Sequence, residues 1–236
     1  MKKFGIIKDE LTQLAVEYGL PDDTFKNCSG RAQLLAKLKS FSTSLYRFGV
    51  IDLAWLREYY NEEDLNRQQI YSAGIIEIYG ESKLSVILGD CRCVTCDSPI
   101  QAFDKASVKA SGSGKVYGFG HSQIEATSRS RVIARDKCRV KAANYAIVWS
   151  YDDAETLASD YAQIFVKSAG ETTLKCQSSA FVSHPNAVVE AGGYSTVHYQ
   201  IAGKISLCEH AVAVDNPHAE VAAGEDLVYT RDLQFQ

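Results

Sequence analysis

A repeat of eight residues runs without interruption through the middle of the chain, from Ala106 to Val182. In each octad a central residue, usually aliphatic, is flanked two positions before, and in most octads two positions after, by a small residue. The central residues are Val108, Val116, Ile124, Val132, Val140, Val148, Thr156, Ile164, Thr172 and Ala180. Because side chains alternate between the two faces of a strand, this spacing turns three residues of every octad to the same side.

The seventh position of the octad predicts a corner. From Gly112 to Cys176 it holds only Gly, Ser, Asp, Asn or Cys, and Gly, Asn and Asp tolerate the left-handed backbone that a tight corner needs. Short strands joined by such corners can coil in parallel, each strand pairing with one a full turn away. The octads therefore predict a mostly β fold, a parallel β-solenoid, whose small inward side chains leave a thin interior without a ligand cavity.

The same alternation extends beyond the strict octads in both directions. It starts near residue 72, slips near Cys91–Cys96 and recovers at Ile100. After His184–Asn186 inserts an extra residue, the alternation resumes and continues to Ala219–Ala223. We therefore predict a β-solenoid repeat domain over residues 71–236.

Residues 1–70 follow a helical spacing instead, and we predict that they form a helical N-terminal cap domain. A solenoid needs a cover on its end because an open terminal strand invites edge-to-edge pairing. The segment LAVEYGLPDDTF also fits a helix-turn-helix, but Pro21 and two acids in its turn favour the simple cap. The first expected helix carries Ile6, Leu11, Leu14, Ala15 and Tyr18 and stops at Gly19–Pro21, and the second runs from a Ser29 cap to Phe41. A third covers Asp52–Tyr59, and a fourth begins at the capped acidic turn Asn61–Asp64.

The outward residues indicate how many octads make one turn of the solenoid. With two octads per turn, alternate octads share a face, and the residues that follow the central positions sort almost completely by chemistry. One face then carries Tyr117, Ile133, Trp149, Phe165 and Phe181, and the other carries Lys109, Glu125, Lys141, Leu157 and Thr173. Three octads per turn would mix the two sets. We therefore predict a flattened solenoid with two octads, about 16 residues, per rung.

The apolar column from Tyr117 to Phe181 is the candidate partner-binding site of the chain. Its five large side chains, one per rung, would span about 19 Å at roughly 4.8 Å per step, and a continuous exposed apolar patch usually marks an interface. Stacking within the column shields the sheet in any case. The column can bury further against a second copy, the N-terminal region or a foreign protein, with Trp149 at its centre as the anchor.

Composition and charge limit the classes of partner. The chain has 236 residues, 46% hydrophobic and 23% charged, with a net charge of −4 and a pI of about 5.8; this mild charge does not favour binding to the phosphates of nucleic acid. The apolar run at the N-terminus is too short for a signal peptide, and no run reaches the roughly 18 apolar residues of a membrane span. The odd number of cysteines, seven, indicates reduced thiols. We therefore expect a cytoplasmic protein without a membrane partner.

Cys91, Cys93 and Cys96 form a CxCxxC cluster that a zinc or soft-metal site could use with a fourth ligand from elsewhere. The interpretation we favour is packing, because Cys91 and Cys93 fall on inward positions, where a thiol fills space as a small hydrophobe. Cys208-Glu209-His210 is a weaker version of the same pattern. No Ser-His-Asp or Cys-His set can be assembled, so we expect no catalytic residues, no metal and no cofactor.

The octads SQIEATSR, SRVIARDK and CRVKAANY, residues 122–145, resemble repeats found in largely uncharacterised proteins of phages and other bacterial mobile elements. The resemblance covers roughly residues 76–230 and implies a parallel β-solenoid. It carries over no catalytic residue. It also implies a phage-type protein that acts on a host protein, for example as an inhibitor of a host defence protein.

Together these patterns predict a non-enzymatic interaction protein, a rigid scaffold whose apolar and aromatic face serves self-association or the binding of a protein partner. Two alternatives stay open. A structural polymer would assemble end to end through the terminal rungs, with Asp226–Arg231 as an uncapped strand. An enzyme would need its chemistry in a groove between the cap and the solenoid.

Overall fold

In a computed structural model, the chain folds into a helical region followed by a long β-solenoid. The structure describes residues 4–21, 23–201, 204–215 and 230–232. Within these ranges the helices are α1 (Phe4–Glu17), α2 (Arg31–Ser40), α3 (Ser42–Arg47), α4 (Leu53–Tyr59) and α5 (Glu62–Arg67). None of these five is long and apolar enough to cross a membrane.

Twenty strands follow the helices in the described ranges, and consecutive strands alternate between two sheets of ten. Sheet A consists of β1 (Ile70–Tyr71), β3 (Ser85–Ile87), β5 (Ile100–Ala102), β7 (Lys115–Gly118), β9 (Arg131–Ala134), β11 (Ile147–Ser150), β13 (Gln163–Val166), β15 (Ser179–Val182), β17 (Thr196–Tyr199) and β19 (Val212–Asp215). Sheet B consists of β2 (Ile75–Tyr79), β4 (Arg92–Cys96), β6 (Ser107–Ser111), β8 (Gln123–Ala126), β10 (Arg139–Ala142), β12 (Glu155–Ala158), β14 (Glu171–Leu174), β16 (Val188–Ala191), β18 (Lys204–Cys208) and β20 (Thr230–Asp232).

Each rung of the solenoid holds two octads, one strand in each sheet. Trp149 of β11 lies between Ile133 of β9 and Phe165 of β13, and both partners are sixteen residues away in a parallel register. The same spacing holds in sheet B, where β10 lies between β8 and β12. The predicted fold is confirmed: a parallel β-solenoid with about 16 residues per rung and an N-terminal helical region.

The interior of the solenoid is thin because small residues flank each central aliphatic side chain. Val148 and Ile164, the central residues of two neighbouring rungs in sheet A, are fully buried. At Gly118 of sheet A, even a methyl group would come within 2.5 Å of the Ile124 side chain in sheet B. The two sheets can approach this closely only if the positions around the aliphatic residues stay small.

The predicted corner residues adopt the left-handed conformation, with φ between 56° and 67° at every position except Ser168. Ser168 instead donates a hydrogen bond from Oγ to the carbonyl of Asp152 on the preceding rung, at 2.8 Å. Along the same edge, the carboxylates of Asp152 and Asp136 accept hydrogen bonds from the backbone N–H groups of Asp136 and Gly120. Corner side chains therefore connect successive rungs as well as turning the chain.

The first helix buries only part of the face that the sequence predicts. Ile7, Leu11 and Ala15 are buried, whereas Ile6 and Tyr18, which we expected on the apolar side, are exposed. The reason is the spacing: residues 7, 11 and 15 follow one another at about one helical turn and line up on a single side.

The starts of the later helices agree with the sequence in two cases out of three. Ser29 does not cap α2; the helix begins after Gly30, and Ser29 donates from its backbone N and its Oγ to the side chain of Gln33. Asn61 caps α5 as predicted, and Asp52, where we expected the preceding helix to begin, is the N-cap of α4; each accepts a hydrogen bond from a backbone N–H three residues later. The helix expected to run to Phe41 is interrupted there, and α3 follows as a separate helix.

The helical region covers more than the end of the solenoid. It packs on the outer face of sheet A, where Ile70, Val86 and Phe103 are buried in one cluster with apolar side chains of the helices. Tyr46 of α3 meets the Phe103 ring edge-on, with 5.5 Å between the ring centroids. The predicted cap is therefore also a layer over the first rungs of sheet A.

Two predictions for the C-terminal end fall on residues that the structure does not describe. The last octad, Ala219–Ala223, lies outside the described residues, as do residues 226–229 of the expected uncapped strand. The segment Thr230–Asp232 forms β20, which pairs in parallel with β18.

The inward residues Thr156 and Thr172, on β12 and β14, predict a coupled pair of substitutions. Their hydroxyl oxygens lie 2.8 Å apart in the interior. Thr172→Val alone leaves the Thr156 hydroxyl buried without this partner and should lower the free energy of unfolding by about 1–2 kcal/mol. Adding Thr156→Val should recover part of that loss, because both polar groups are then gone while the shape is kept. Chemical denaturation followed by circular dichroism measures both variants.

The matched control is Thr173→Val, at the next, outward-facing position of β14. It should change the free energy of unfolding by less than about 0.5 kcal/mol, because no buried hydrogen bond is lost. Thr156→Val alone is measured in the same way, and a double variant whose loss equals the sum of the two single losses would contradict the coupling.

Candidate protein-interaction site

One continuous column of outward side chains runs the length of sheet A, with one residue on each rung. In order it contains Ile70, Val86, Gln101, Tyr117, Ile133, Trp149, Phe165, Phe181, His198 and Val214. The five residues from Tyr117 to Phe181 that sequence reasoning selected lie on adjacent rungs in the expected order. The members before Tyr117, the ring of His198 and Val214 were missed; Val214 was expected to face inward, and Ala213 takes that position instead.

Changes in rung length explain the missed residues. Val86 pairs with Gln101 fifteen residues later, so the rung at the predicted register slip is one residue short. Phe181 pairs with His198 seventeen residues later, because the corner at His184–Asn186 absorbs one extra residue without disturbing the strands. The alternation Ser195-x-Val197-x-Tyr199 contains the signal that would have identified His198 as outward-facing.

The helical region divides this column into a covered part and an open part. Ile70 and Val86 are fully buried beneath the helices, and Tyr117 packs against the same cluster. Among the described residues, the apolar cluster that the helices share with sheet A ends at Tyr117. The side chains that follow are only half-buried, and we call them the open ladder: Ile133, Trp149, Phe165, Phe181 and His198.

The rings of the open ladder stack on one another along the solenoid. The centroids of Trp149 and Phe165 are 5.6 Å apart, and the spacing is 4.9 Å from Phe165 to Phe181 and again from Phe181 to His198. The ring planes are within 13° of parallel. Because each ring covers the face of the next, ring edges point outward. The result is a flat apolar strip about 19 Å long at the usual strand spacing.

Basic side chains flank the open ladder, and the face around it carries no acidic side chain. The outward positions on the sheet A strands β7, β9, β11, β13, β15 and β17, and at the residue after each of them, are all described, and they include Lys115, Arg131, Arg135 and Lys167 but no Asp or Glu. Arg135 lies over the ring of Tyr151, with 4.3 Å from its guanidinium carbon to the ring centroid. This part of sheet A is therefore apolar along its centre and positively charged at its margins.

Arg47 joins the end of α3 to the corner beside the open ladder. Its Nη2 lies 2.8 Å from Oδ1 of Asp136 and 2.9 Å from Oδ2 of Asp152. The hydrogen bond to Asp136 raises the pKa of Arg47 above its usual value, so the guanidinium stays charged. Asp136 and Asp152 at this corner are thus paired with Arg47 of the helical region, and Arg135 lies 4.0 Å from Asp152.

The junction between the helices and the solenoid is the groove in which an enzyme of this architecture would need its site. Gln101 Nε2 donates to Thr43 Oγ1 at 3.1 Å, and Ser42 Oγ donates to Gln101 Oε1. These hydrogen bonds and the ion pairs of Arg47 join polar side chains of α3 to polar side chains of the solenoid. They hold α3 along sheet A.

Sheet B presents a different chemistry to solvent. Its central outward column contains Lys109, Glu125, Lys141, Leu157 and Thr173 on successive rungs, in the predicted order. Lys109 pairs with Glu125 at 3.1 Å, and beside them Arg139 pairs with Glu155 at 2.8 Å. Because opposite charges one rung apart satisfy each other, sheet B is the weaker candidate for an interface.

The cysteines near the register slip occupy different environments. Cys91 and Cys93 are buried in the solenoid core, whereas Cys96 is half-buried with its sulfur 3.3 Å from Oδ2 of Asp97. Burial raises the pKa of Cys91 to about 11 and that of Cys93 to about 12, which disfavours the thiolate that a metal ligand requires. Within the described part of the chain, no three His, Cys, Asp or Glu side chains form a group that could hold a metal ion.

A second aromatic column, which sequence reasoning did not single out, lies at the corner that leads into sheet A. Tyr145 and Tyr161 stack with 5.4 Å between their centroids, and Tyr194 stacks on His210 at 4.9 Å. The three tyrosines are 52–67% exposed. They occupy the last position of the octad. Grouping residues sixteen positions apart, as was done for the outward column, would have identified Tyr145 and Tyr161.

Comparisons of the chain with protein families, with curated proteins and with solved structures found no match. The open ladder is therefore a candidate site on the strength of this chain's own chemistry. The resemblance of the octads to phage repeats stays a prediction.

The contact of Arg47 with the solenoid predicts a moderate loss of stability on Arg47→Met. The substitution keeps the apolar stem but leaves Asp136 and Asp152 without their shared cation. We expect the free energy of unfolding to fall by about 1 kcal/mol, a modest value because Asp152 is partly exposed to solvent, and to fall less in concentrated salt. Denaturant titration at two salt concentrations measures the effect.

Arg67→Met is the matched control, because Arg67 pairs with Glu63 on the surface of α5 with both side chains well exposed. That pair should contribute less than about 0.5 kcal/mol. An equal loss for the two variants would contradict the structural role of Arg47.

The burial of three thiols predicts a selective pattern of alkylation. Iodoacetamide reacts with the thiolate, and burial raises the pKa of Cys91 to about 11 and those of Cys93 and Cys138 to about 12. A pH of 8 is far below these pKa values, so the three thiols remain protonated and unmodified in the folded protein. The exposed Cys176 and Cys208 should react. Peptide mass spectrometry after labelling distinguishes the two groups.

In guanidinium chloride all seven cysteines should be alkylated, which controls for the detection of each peptide. Labelling of Cys93 in the folded protein as fast as Cys208 would contradict the packing interpretation.

Proposed function

We propose that this protein is a non-enzymatic scaffold that binds another protein through the open ladder and the basic side chains beside it. The observation that carries the proposal is that the outward column of sheet A continues as a strip of stacked rings beyond Tyr117, where the chain's own helices stop packing on it. The covered half of the column already serves as an interface within the chain. The similar apolar character of the open half supports a second interface, with another molecule.

The orientation of the rings favours a protein over a nucleic acid. Single-stranded nucleic acids bind aromatic side chains through the flat face of the ring. In the open ladder, Phe165 and Phe181 have both faces covered by their neighbours, so only ring edges are available. Edges next to the aliphatic side chain of Ile133 suit close contact with apolar side chains. Trp149, at the centre of the strip, is of the residue type most enriched at binding hot spots.

Charge favours a different protein over a second copy of this chain. In a two-fold symmetric dimer the same patch lies on both sides of the interface. The face that carries Arg131, Arg135 and Lys167 would then lie against the same positively charged face of the second copy, and like charges brought together in this way oppose binding. A partner with acidic groups around an apolar centre has no such penalty.

The resemblance of the octads to repeats of phages and mobile elements supports a host protein as the partner, with inhibition of a defence protein as one form of the activity. A cytoplasmic place of action fits this proposal. Cys91, Cys93 and Cys138 pack in the core as free thiols, and such thiols suit a reducing compartment.

Removal of two adjacent rings tests the proposal. Trp149→Ala combined with Phe165→Ala takes the centre out of the open ladder, and it should reduce by at least about tenfold the amount of partner that the immobilised protein captures from a bacterial lysate. Capture is quantified by mass spectrometry against the wild-type protein. Light scattering on the same samples reports any self-association.

The matched control is Leu157→Ala combined with Thr173→Ala, the corresponding outward positions of neighbouring rungs in sheet B. It should capture as much partner as the wild type. Both double variants must retain the circular dichroism of the wild-type solenoid. The proposal is wrong if the same proteins are captured in the same amounts by all three chains.

A further inference from the structure

We infer that the partner presents a large apolar side chain next to an acidic one. The apolar side chain fills a dent at the C-terminal end of the open ladder, and the acidic one pairs with a cation at the rim of that dent. This inference rests on the proposed function and names the chemistry of its partner.

The dent lies between the open ladder and the neighbouring column of residues that follow the strands of sheet A. Its volume is about 140 Å³, which is close to the size of an apolar cavity that accepts one benzene ring. Its walls include Phe165, Phe181 and His198 on one side and Lys167, Ser183 and Gln200 on the other. A single Phe, Leu or Met side chain therefore fits it.

The dent exists because Ser183 is small. The same column carries Arg135 and Tyr151 on earlier rungs, and side chains of that size would fill the space. Ser183 Oγ donates to the carbonyl of Val166 at 3.1 Å, so its hydroxyl is already satisfied and an apolar group can enter without leaving it unpaired. The stacked edges of Phe165 and Phe181 supply the apolar wall.

Lys167 supplies the charge at the rim of the dent. It is exposed, and it makes no salt bridge with any residue in the described part of the chain. Arg131 lies on the same face, whereas Arg135 lies 4.0 Å from Asp152 at the corner. A carboxylate on the partner gains first from Lys167, whereas a basic segment is repelled.

The contact between α3 and sheet A provides the precedent within the molecule. There the side chain of Tyr46 packs edge-on against the ring of Phe103 and is itself nearly fully buried. The same arrangement, one large side chain inserted beside stacked rings, is what the dent at Ser183 offers to a segment from another protein. The apolar anchor gives affinity and the neighbouring carboxylate gives orientation.

A library of random dodecapeptides on beads, screened with the labelled full-length chain, tests the inference. We expect the retained peptides to be enriched in Phe, Leu or Met within two positions of Asp or Glu. The strongest peptide is then resynthesised, and its Kd is measured by fluorescence anisotropy at low and at physiological salt. Binding should weaken as salt increases, because a charge pair contributes.

Two variants separate the roles of the dent and the cation. Ser183→Tyr fills the dent with a side chain that the same column accepts at Tyr151, and it should weaken peptide binding at least about tenfold. Lys167→Glu should weaken the acidic peptide about tenfold and shift selection from the library toward Lys and Arg. Ser159→Tyr and Lys175→Glu, at the corresponding column of sheet B, are the matched controls and should leave the Kd within about twofold.

The outcomes distinguish this inference from the proposed function. Peptides that lose binding in the Trp149→Ala and Phe165→Ala double variant but show no acidic preference would overturn the inference and leave the proposed function standing. Peptides that bind this double variant as well as the wild type would overturn both. Retention of no peptide overturns the inference alone. Tighter binding of a single-stranded oligonucleotide or of a second copy at the same face overturns both the inference and the choice of partner in the proposed function.

Discussion

Parallel hydrogen bonding between rungs brings equivalent side chains to roughly 4.8 Å from one another, and the other features of the molecule depend on this spacing. Stacked aromatic rings suit such a separation, so the open ladder from Trp149 to His198 forms with centroid distances of 4.9–5.6 Å. The same spacing lets Asp136 and Asp152 reach the backbone of the preceding rung at the corner. Each position of the octad therefore becomes a column, and the residue type at that position sets the chemistry of one strip of the surface.

The helical region uses one of these columns as its binding surface. Its apolar side chains cover Ile70 and Val86, and the hydrogen bonds of Gln101 hold α3 in place on the next rung. Arg47 then reaches two and three rungs further along the corner, to Asp136 and Asp152. Because the solenoid is longer than the helical layer, the column continues uncovered where this layer ends. The length difference between the two parts leaves this half of the column uncovered, and the aromatic residues in it make the uncovered half a candidate site.

The strict octads made the two sheets, the corners and the column from Tyr117 to Phe181 predictable, because each turn there contains the same number of residues. Prediction failed where a rung loses one residue, before Gln101, or gains one, before His198. The packing of the helices was harder to predict, because contact with sheet A determines which side of a helix is buried. The separate helix α3 places Arg47 at the corner, and no local period encodes that long-range contact. Whether the column is open or covered could therefore not be read from the sequence.

Stacking within the open ladder and binding by it do not exclude each other. An isolated exposed Trp or Phe would lose little by collapsing onto the nearest surface, whereas rings held face to face by their neighbours keep their edges outward in the free protein. Each ring is then ordered before a partner arrives, so binding costs little side-chain entropy. The half-buried state of Trp149, Phe165 and Phe181 thus has two consequences. It limits the apolar area that water meets in the unbound chain, and it preserves a rigid edge against which one further side chain can pack.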